Sequence, residues 1–256
     1  MAMFDPQRGK VFVRVVYDGP AFAGKTTNLK QLCSFITRKR WGELYVPAES
    51  GGRTLFFDWL ELDGGAIGSL PLSSQLLTVP GQSALRHRRR HLLRLADAVV
   101  FVCDSTPDGI GAAREMLSLL MPMCRRDGAA DVPLVVQANK QDLAGACSLE
   151  RVRAALRLDT DVAVAEAEAH HGIGVRETVV LAIRAAVAQV RERIVQDGTD
   201  ALEGVPQEAS DLYRELLLTN PSRPSIFETL DSRASEQVAG LFSGFPDNEA
   251  PDDSSP

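Results

Sequence analysis

The stretch Gly19-Pro20-Ala21-Phe22-Ala23-Gly24-Lys25-Thr26 decides the fold, because it fits the pattern G-x-x-x-x-G-K-[ST] directly after the apolar run 11–17. The two glycines let the backbone turn several N–H groups inward, which forms an anion nest at the N-terminus of a helix. In this pattern Lys25 reaches the β- and γ-phosphates of a nucleotide, and Thr26 is a ligand of Mg²⁺. The sequence therefore predicts a nucleoside triphosphate site between a strand and a helix.

Composition and charge predict one α/β domain followed by an acidic extension. The 256 residues are 45% hydrophobic, which is enough for a full core. The net charge of -6 is concentrated at residues 197–256, which contain 13 acidic and 3 basic side chains. The four cysteines lack C-x-x-C spacing and are expected to be free thiols. With no apolar run near the ~20 residues of a membrane span and no signal-peptide core, we expect a soluble cytoplasmic protein.

Short apolar runs alternate with stretches of helical period, which predicts a three-layer α/β fold with a mostly parallel sheet. The predicted strands cover residues 10–17, 54–62, 75–79, 98–103, 133–138 and 161–165. The predicted helices cover residues 25–39, 85–95, 111–124, 149–156 and 175–195. A hairpin over 60–76, turning at Asp63-Gly64-Gly65, gives the sheet one antiparallel edge. Residues 1–196 form the predicted domain, and the extension 197–256 has short helices at 210–218 and around 226–242 and a disordered end.

A second motif indicates which base is bound. Asn139-Lys140-Gln141-Asp142 follows the apolar run 134–138 and fits N-K-x-D. A carboxylate at Asp142 can accept both the N1–H and the N2–H₂ group of guanine, whereas adenine offers neither donor, and such sites discriminate by roughly 10⁴ or more. Alone, the tetrapeptide is also a common start of a helix, with Asp142 as a capping acid. Its position at the end of a strand that follows the phosphate loop favours a guanine site.

With these motifs on one chain, the sequence resembles the Ras-like small GTPases, and most closely the bacterial MglA family of gliding-motility and polarity GTPases. Four stretches carry the resemblance, which covers residues 9–195: Gly19 to Thr27 with its double threonine, Arg53-Thr54-Leu55-Phe56-Phe57-Asp58, Thr78-Val79-Pro80-Gly81-Gln82, and Asn139 to Asp142. The two middle stretches are specific to MglA-type proteins. The resemblance implies a P-loop GTPase fold, and GTP or GDP with Mg²⁺ as ligands.

The resemblance also implies site residues. Gln82 orients the attacking water, and Arg53 acts as an arginine finger within the chain, worth ~10³ to 10⁵ in rate. With Lys25 they form the expected catalytic set, although a solvated loop arginine and a turn glutamine are the alternatives. Thr26 and Thr54 are the expected metal ligands. The expected nucleotide-binding residues are Gly19, Ala21, Phe22, Ala23, Gly24, Lys25, Thr26, Thr27, Thr54, Gly81, Asn139, Lys140, Asp142 and Ala169, the last through its backbone N–H on the base.

Two positions depart from what the resemblance implies. Ala21 stands where a glycine is usual, and its methyl group approaches the region of the γ-phosphate, so we expect slower hydrolysis than in relatives. Thr78 stands where most small GTPases carry an aspartate, so the water shell of Mg²⁺ must be arranged differently.

For partners, the resemblance implies a roadblock-fold activator of the MglB type, effectors that recognise the GTP state, and recruitment to a cell pole. The basic run 86–91 is compatible with nucleic acid, acidic lipid or protein; we favour a partner-facing helix and expect no nucleic-acid binding, because the protein is acidic overall. Two other functions stay open: a nucleotide-bound scaffold with little turnover, and an ATP-using P-loop enzyme.

Overall fold

A seven-stranded, mostly parallel sheet forms the centre of the protein. The computed structural model describes residues 2–35, 44–46, 49–50, 53–54, 57–81, 86–126, 130–202 and 208–218. The strand order is β5-β6-β2-β7-β8-β9, where these strands are Trp59–Ile67, Leu70–Thr78, Lys10–Asp18, Ala98–Asp104, Leu134–Asn139 and Ala163–Glu166. Strand β1, Met3–Asp5, pairs with the first residues of β2 and is antiparallel to it. The other antiparallel pair is the predicted edge hairpin of β5 and β6, and the remaining pairs are parallel.

Helices cover both faces of this sheet, which confirms the three-layer α/β fold. Helices α1, Lys25–Phe35, and α5, Val175–Asp197, pack together on one face. Helices α2, Arg86–Arg94, α3, Pro107–Cys124, and α4, Leu149–Leu156, follow one another over the other face. Alternate residues of β2 face opposite layers, as a two-residue period requires. One side of β2 therefore joins the apolar core beneath α1 and α5, and the side that carries Asp18 faces α2.

Local signals explain where two helices begin. Thr106 precedes α3, and its hydroxyl accepts a hydrogen bond from the N–H of Gly109, with Pro107 at the first helical position. Ser148 caps α4 in the same way through the N–H of Arg151. Because Thr106 is the cap, α3 begins four residues earlier than the predicted start at residue 111.

The structure corrects two predictions in the hairpin region. The single strand predicted over 54–62 is two separate strands, because β4, Arg53–Thr54, pairs with β3, Glu49–Ser50, in a sheet of its own. The turn predicted at Asp63-Gly64-Gly65 is also wrong. Strand β5 continues to Ile67, and its register against β6 shifts between Asp63 and Ala66. The chain turns only after Ile67, where Gly68 has φ +61°. The first glycine pair therefore forms a bulge, and the hairpin is longer than predicted.

The start of the extension also contains the first predicted helix. Helix α6 is Ala209–Leu218, where a helix was predicted over 210–218. Chain contacts divide the protein into a unit Met1–Tyr213 and a unit Arg214–Pro256. The predicted continuation of α1 to residue 39, the linker glycine and proline at 204–206, the helix around 226–242 and the acidic end lie outside the described residues. None of the helices in the described ranges combines the length and the apolar composition needed to cross a bilayer.

Candidate nucleotide-binding site

The phosphate loop joins β2 to α1, and its geometry requires both motif glycines. Gly19 has φ +138° and Gly24 has φ +110°, a region that side chains rarely adopt. A Cβ atom on Gly19 would lie 2.2 Å from the carbonyl oxygen of Val102, and one on Gly24 would lie 2.2 Å from Nδ2 of Asn139. The loop is therefore packed against the carboxyl ends of β7 and β8, the edge of a parallel sheet where ligands bind.

Lys25 is the buried cation of this loop. It is the first residue of α1, and its Nζ donates to the carbonyl oxygens of Gly19 and Pro20, at 2.8 Å each. Burial lowers the pKa of Lys25 to about 8, and the nearby carboxylate of Asp18 opposes part of that shift. A lysine held this way at a helix N-terminus complements a phosphate chain in position and in charge.

The other loop residues differ in exposure. Phe22 has φ +63° and is 62% exposed, and Ala21 is also exposed, whereas Ala23 is fully buried. Gly81 lies directly against this part of the loop: a Cβ atom on Gly81 would be 2.6 Å from the backbone nitrogen of Ala21 and 2.8 Å from Nζ of Lys25. No larger residue fits at position 81 without displacing the phosphate loop.

Asp58 brings a carboxylate to the start of α1, a role that the sequence did not predict. Its Oδ2 accepts hydrogen bonds from Oγ1 of Thr26 at 2.6 Å and Oγ1 of Thr78 at 2.8 Å, and Thr78 also accepts from the N–H of Asp58. Asp58 is completely buried, and its Oδ1 has no hydrogen-bond partner among the described residues. A carboxylate therefore lies beside Thr78, although position 78 itself carries none.

This arrangement fits Mg²⁺ chemistry. Mg²⁺ prefers oxygen ligands and is usually held by one or two side chains together with phosphate oxygens and water. A hydroxyl of Thr26 beside a buried carboxylate with an unpaired oxygen provides that donor set. Within the described part of the chain, no cluster of three or more His, Cys, Asp or Glu side chains forms a separate metal cage.

The base side of the site is organised by Asn139, the last residue of β8. Its Nδ2 donates to the carbonyl oxygen of Ala23 at 2.7 Å, and its Oδ1 accepts from the N–H of Ala169 at 2.9 Å. One side chain therefore ties the phosphate loop to the loop before α5. Asp142 is exposed in the turn that follows β8, so three predicted contact positions, 139, 142 and 169, lie at the same edge of the sheet.

Lys140 is oriented by a neighbouring carboxylate. Its Nζ forms an ion pair with Oδ2 of Asp104 at 2.7 Å, and its backbone has φ +68°. Partial burial alone would raise the pKa of Asp104, but hydrogen bonds from Lys140 and Thr106 outweigh it and lower that pKa below its usual range. Lys140 is therefore held at the end of β7, beside the phosphate loop.

A buried polar network lies behind the site and links the phosphate loop to the loop that precedes α5. Asn28 of α1 and Gln137 of β8 exchange two amide hydrogen bonds of 2.8 Å. Asn28 also donates to the carbonyl oxygen of Gly24, and Gln137 donates to Thr178, whose hydroxyl donates to the carbonyl oxygen of Gly174. A chain of satisfied hydrogen bonds thus runs from the phosphate loop to the start of α5.

The remaining predicted residues are placed only in part. Thr27 lies in the first turn of α1 and is half-buried. Arg53 and Thr54 lie on β4, where their backbones pair with residues 50 and 49, and the structure describes nothing of their side chains. Gln82 lies outside the described residues. The geometry therefore brings the phosphate, metal and base positions together and does not test the switch residues.

Sequence reasoning missed Asp58, Asp104 and the amide pair of Asn28 and Gln137. The sequence did contain an indication of Asp58. It is the last residue of the stretch Arg53 to Asp58, and an antiparallel pairing of the two hairpin strands would bring it opposite Thr78. The sequence also contained an indication of Gln137, since a polar residue inside the apolar run 134–138 must find a buried partner. Neither signal identifies the partner, which lies on a distant element.

Comparisons with known proteins agree with this geometry. The family model of the ADP-ribosylation factor family matches residues 69–197. The mutual gliding-motility protein MglA of Myxococcus xanthus (strain DK1622) is 31% identical over 194 residues, which are 75% of this chain and 99% of that protein. ADP-ribosylation factor-like protein 1 of Caenorhabditis elegans is 35% identical over 89 residues, which are 34% of this chain and 48% of that protein.

A solved structure shows the same fold. The Arl6 BBS3 small GTPase from Trypanosoma brucei, with a bound nucleotide analogue, superposes with a TM-score of 0.53 at 23% identity, covering 70% of this chain and 99% of that one. The fold, the phosphate loop and the N-K-x-D edge thus define a small GTPase. The chain belongs to the MglA-type Ras-like small GTPases, which bind guanine nucleotides and hydrolyse GTP.

Proposed function

We propose that the chain is a Mg²⁺-dependent GTP/GDP switch whose GTP state is recognised by partner proteins, in a process of gliding motility or cell polarity. The observation that carries this proposal is the convergence of Lys25, Asn139 and the pair of Thr26 and Asp58 at one edge of the sheet. Residues 1–196 are the switch domain in this proposal, and residues 197–256 are an acidic extension.

Each residue has a distinct part in binding. The main-chain N–H groups from Ala21 to Thr27 bind the phosphates, and Lys25 adds a positive charge toward the β- and γ-phosphates. Asn139 holds the loop before α5 in place by accepting a hydrogen bond from the N–H of Ala169. Asp142 accepts from guanine, and Ala169 borders the base without giving it that N–H. Phe22, an exposed residue of the phosphate loop, and Lys140 border the nucleotide.

The switch positions act on the terminal phosphate. Gly81 offers its N–H to that phosphate, and Thr54 senses it together with the metal. Gln82 orients the attacking water, and Arg53 contributes a cation when a partner remodels the loop that carries it. These four assignments rest on the family pattern, and the close approach of Gly81 to Ala21 and Lys25 supports the one at position 81.

Thr26 and Thr54 hold Mg²⁺, and Asp58 orients the Thr26 hydroxyl and the metal's water. When bound, Mg²⁺ neutralises charge on the phosphate oxygens. Asp58 replaces, from the adjacent strand, the aspartate that most small GTPases carry at position 78. The buried, unpaired Oδ1 of Asp58 is the structural support for this assignment.

A second candidate is a nucleotide-bound scaffold with little turnover. The observation in its favour is that Gly81 lies directly against the phosphate loop at Ala21, the position where a glycine is usual. Multiple-turnover phosphate release separates the two functions: the switch releases many phosphates per protein when an activator is added, and the scaffold releases one or fewer.

For the partners, we propose a roadblock-fold activator of the MglB type and effectors selective for the GTP form, with the protein in the cytoplasm and recruited to a cell pole. The exposed residues of α2 give such proteins a basic surface next to Gly81. Affinity capture with the protein loaded with a non-hydrolysable GTP analogue, compared with GDP, tests the proposal. Partners retained equally by both forms would contradict it.

A further inference from the structure

A buried ion pair connects the phosphate loop to α2. Asp18, the last residue of β2, is completely buried, and Arg89 of α2 is 5% exposed. The guanidinium binds both carboxylate oxygens: Nε donates to Oδ1 at 2.8 Å and Nη2 donates to Oδ2 at 2.6 Å. Oδ1 also accepts from the backbone N–H of Gly19 at 2.8 Å. One carboxylate therefore joins the first amide of the phosphate loop to a helix 71 residues away.

General stability does not explain such a pair. Burying two charges costs desolvation energy, and well-packed apolar residues in their place are often neutral or stabilising. What a bidentate arginine provides is a fixed geometry, because its planar fork matches a carboxylate in only a few orientations. Arg89 also donates to the carbonyl oxygen of Met116 in α3, at 3.5 Å. The helix is thus fixed both to its neighbour α3 and to the loop.

The position of α2 matters because Gly81 precedes it by only five residues. Gly81 lies against Ala21 and Lys25 of the same loop. Among the α2 side chains that the structure describes, Arg88 and Arg89 are turned inward, and His87, Arg90 and Arg94 are exposed. The pair of Asp18 and Arg89 therefore fixes, against the phosphate loop, a helix that begins five residues after Gly81.

We propose that Asp18 and Arg89 are positioning residues that hold α2 against the phosphate loop, so that Gly81 is already placed for the terminal phosphate of GTP. This inference rests on the proposed function and names a determinant of its GTP/GDP selectivity. A ligand shifts a conformational equilibrium only by its differential affinity. GTP contacts Gly81 and GDP does not, so loosening α2 weakens GTP binding and leaves GDP binding nearly unchanged.

The variants Arg89→Lys and Asp18→Asn test this inference. In Arg89→Lys, the lysine keeps a positive charge opposite Asp18 but cannot form the two parallel hydrogen bonds of a guanidinium. In Asp18→Asn, the asparagine keeps an oxygen that accepts from the N–H of Gly19 but loses the negative charge. If the competent position of α2 falls to about one molecule in ten, the apparent Kd for GTP rises about tenfold. We expect that rise for a non-hydrolysable GTP analogue with Mg²⁺, and less than about a threefold change for GDP.

Lys10→Met is the matched control. It removes a more exposed ion pair, 2.8 Å long, between the first residue of β2 and Asp63 of β5. We expect no change in the ratio of the two nucleotide affinities. Thermal unfolding of each variant shows whether it is folded, and if one variant is not, the other provides the test.

The two proposals fail in different ways. If the wild-type protein binds neither GTP nor GDP, the proposed function is wrong. If the wild-type protein binds both and a folded Arg89→Lys or Asp18→Asn variant loses the two affinities equally, or loses neither, the ion pair is structural only and the inference is overturned. A selective loss of the GTP analogue supports it.

Discussion

Asp58→Asn gives a sharp test of the metal site. The substitution keeps the size of the side chain and leaves one oxygen that can accept hydrogen bonds. In the wild-type protein, Oδ2 of Asp58 accepts from Oγ1 of Thr26 at 2.6 Å and from Oγ1 of Thr78 at 2.8 Å. It removes the negative charge from a completely buried position. The two effects on nucleotide binding have opposite signs, because the charge attracts Mg²⁺ and repels the phosphates.

The size of the effect follows from the place of Asp58 behind the metal ligand Thr26. Removing a group that orients a metal ligand typically costs about 10–100-fold in metal affinity. We therefore expect the Mg²⁺ concentration for half-maximal retention of GDP to rise about 30-fold. Retention in excess chelator should stay equal or increase, because one repulsive charge is gone.

The assay is the release of a fluorescent GDP analogue during a Mg²⁺ titration. Asp63→Asn, an exposed carboxylate of the same hairpin that pairs with Lys10, is the control and should titrate like the wild-type protein. An unchanged Mg²⁺ midpoint in a folded Asp58→Asn variant would refute the reasoning, as would equal losses with and without Mg²⁺.

Three further predictions concern the loop, its lysine and the thiols. Ala21→Gly removes a methyl group from the part of the phosphate loop that lies against Gly81. Single-turnover hydrolysis should then be about tenfold faster, which corresponds to about 1.4 kcal/mol of barrier. Equal rates would dispose of the steric argument. Lys25 has a pKa of about 8 without nucleotide, and phosphates favour its charged form. Nucleotide affinity should therefore be flat below pH 8 and fall by up to about tenfold per pH unit above it; a flat titration to pH 9.5, about 1.5 units beyond that pKa, would contradict this. Burial raises the pKa of Cys103 to about 12 and the pKa of Cys124 to about 11. A thiol reagent should therefore label the half-buried Cys33 and leave Cys103 and Cys124 unmodified until the protein unfolds. Rapid labelling of either buried thiol in the folded protein would show that the packing is wrong.

Local motifs made much of the fold predictable. The phosphate loop and the N-K-x-D motif each place a loop at the end of a strand. The two motifs therefore predict the chemistry of the site together with the order of the strands and helices around it. The start of α3 was misplaced, at residue 111 instead of Pro107, because its cap Thr106 acts through a single side-chain hydrogen bond. The hairpin turn was misplaced because both Gly65 and Gly68 adopt positive φ, and only the pairing of β5 with β6 decides which one turns the chain.

The site's supporting residues could not be predicted, because their partners are far apart in sequence. Asp18 meets Arg89 across 71 residues, and Asn28 meets Gln137 across 109. A polar residue in an apolar run predicts that a partner exists but not where it lies. Asp58 meets Thr78 only through the pairing of the chain before β5 with the end of β6, which no local pattern specifies.

Nucleotide competition tests the central claim most directly. The wild-type protein, loaded with a fluorescent guanine nucleotide in Mg²⁺, is challenged with GTP or with ATP. The guanine-accepting carboxylate of Asp142 in the N-K-x-D motif predicts displacement by GTP at a concentration about 10⁴-fold lower than by ATP. Displacement by both nucleotides at similar concentrations would contradict the account.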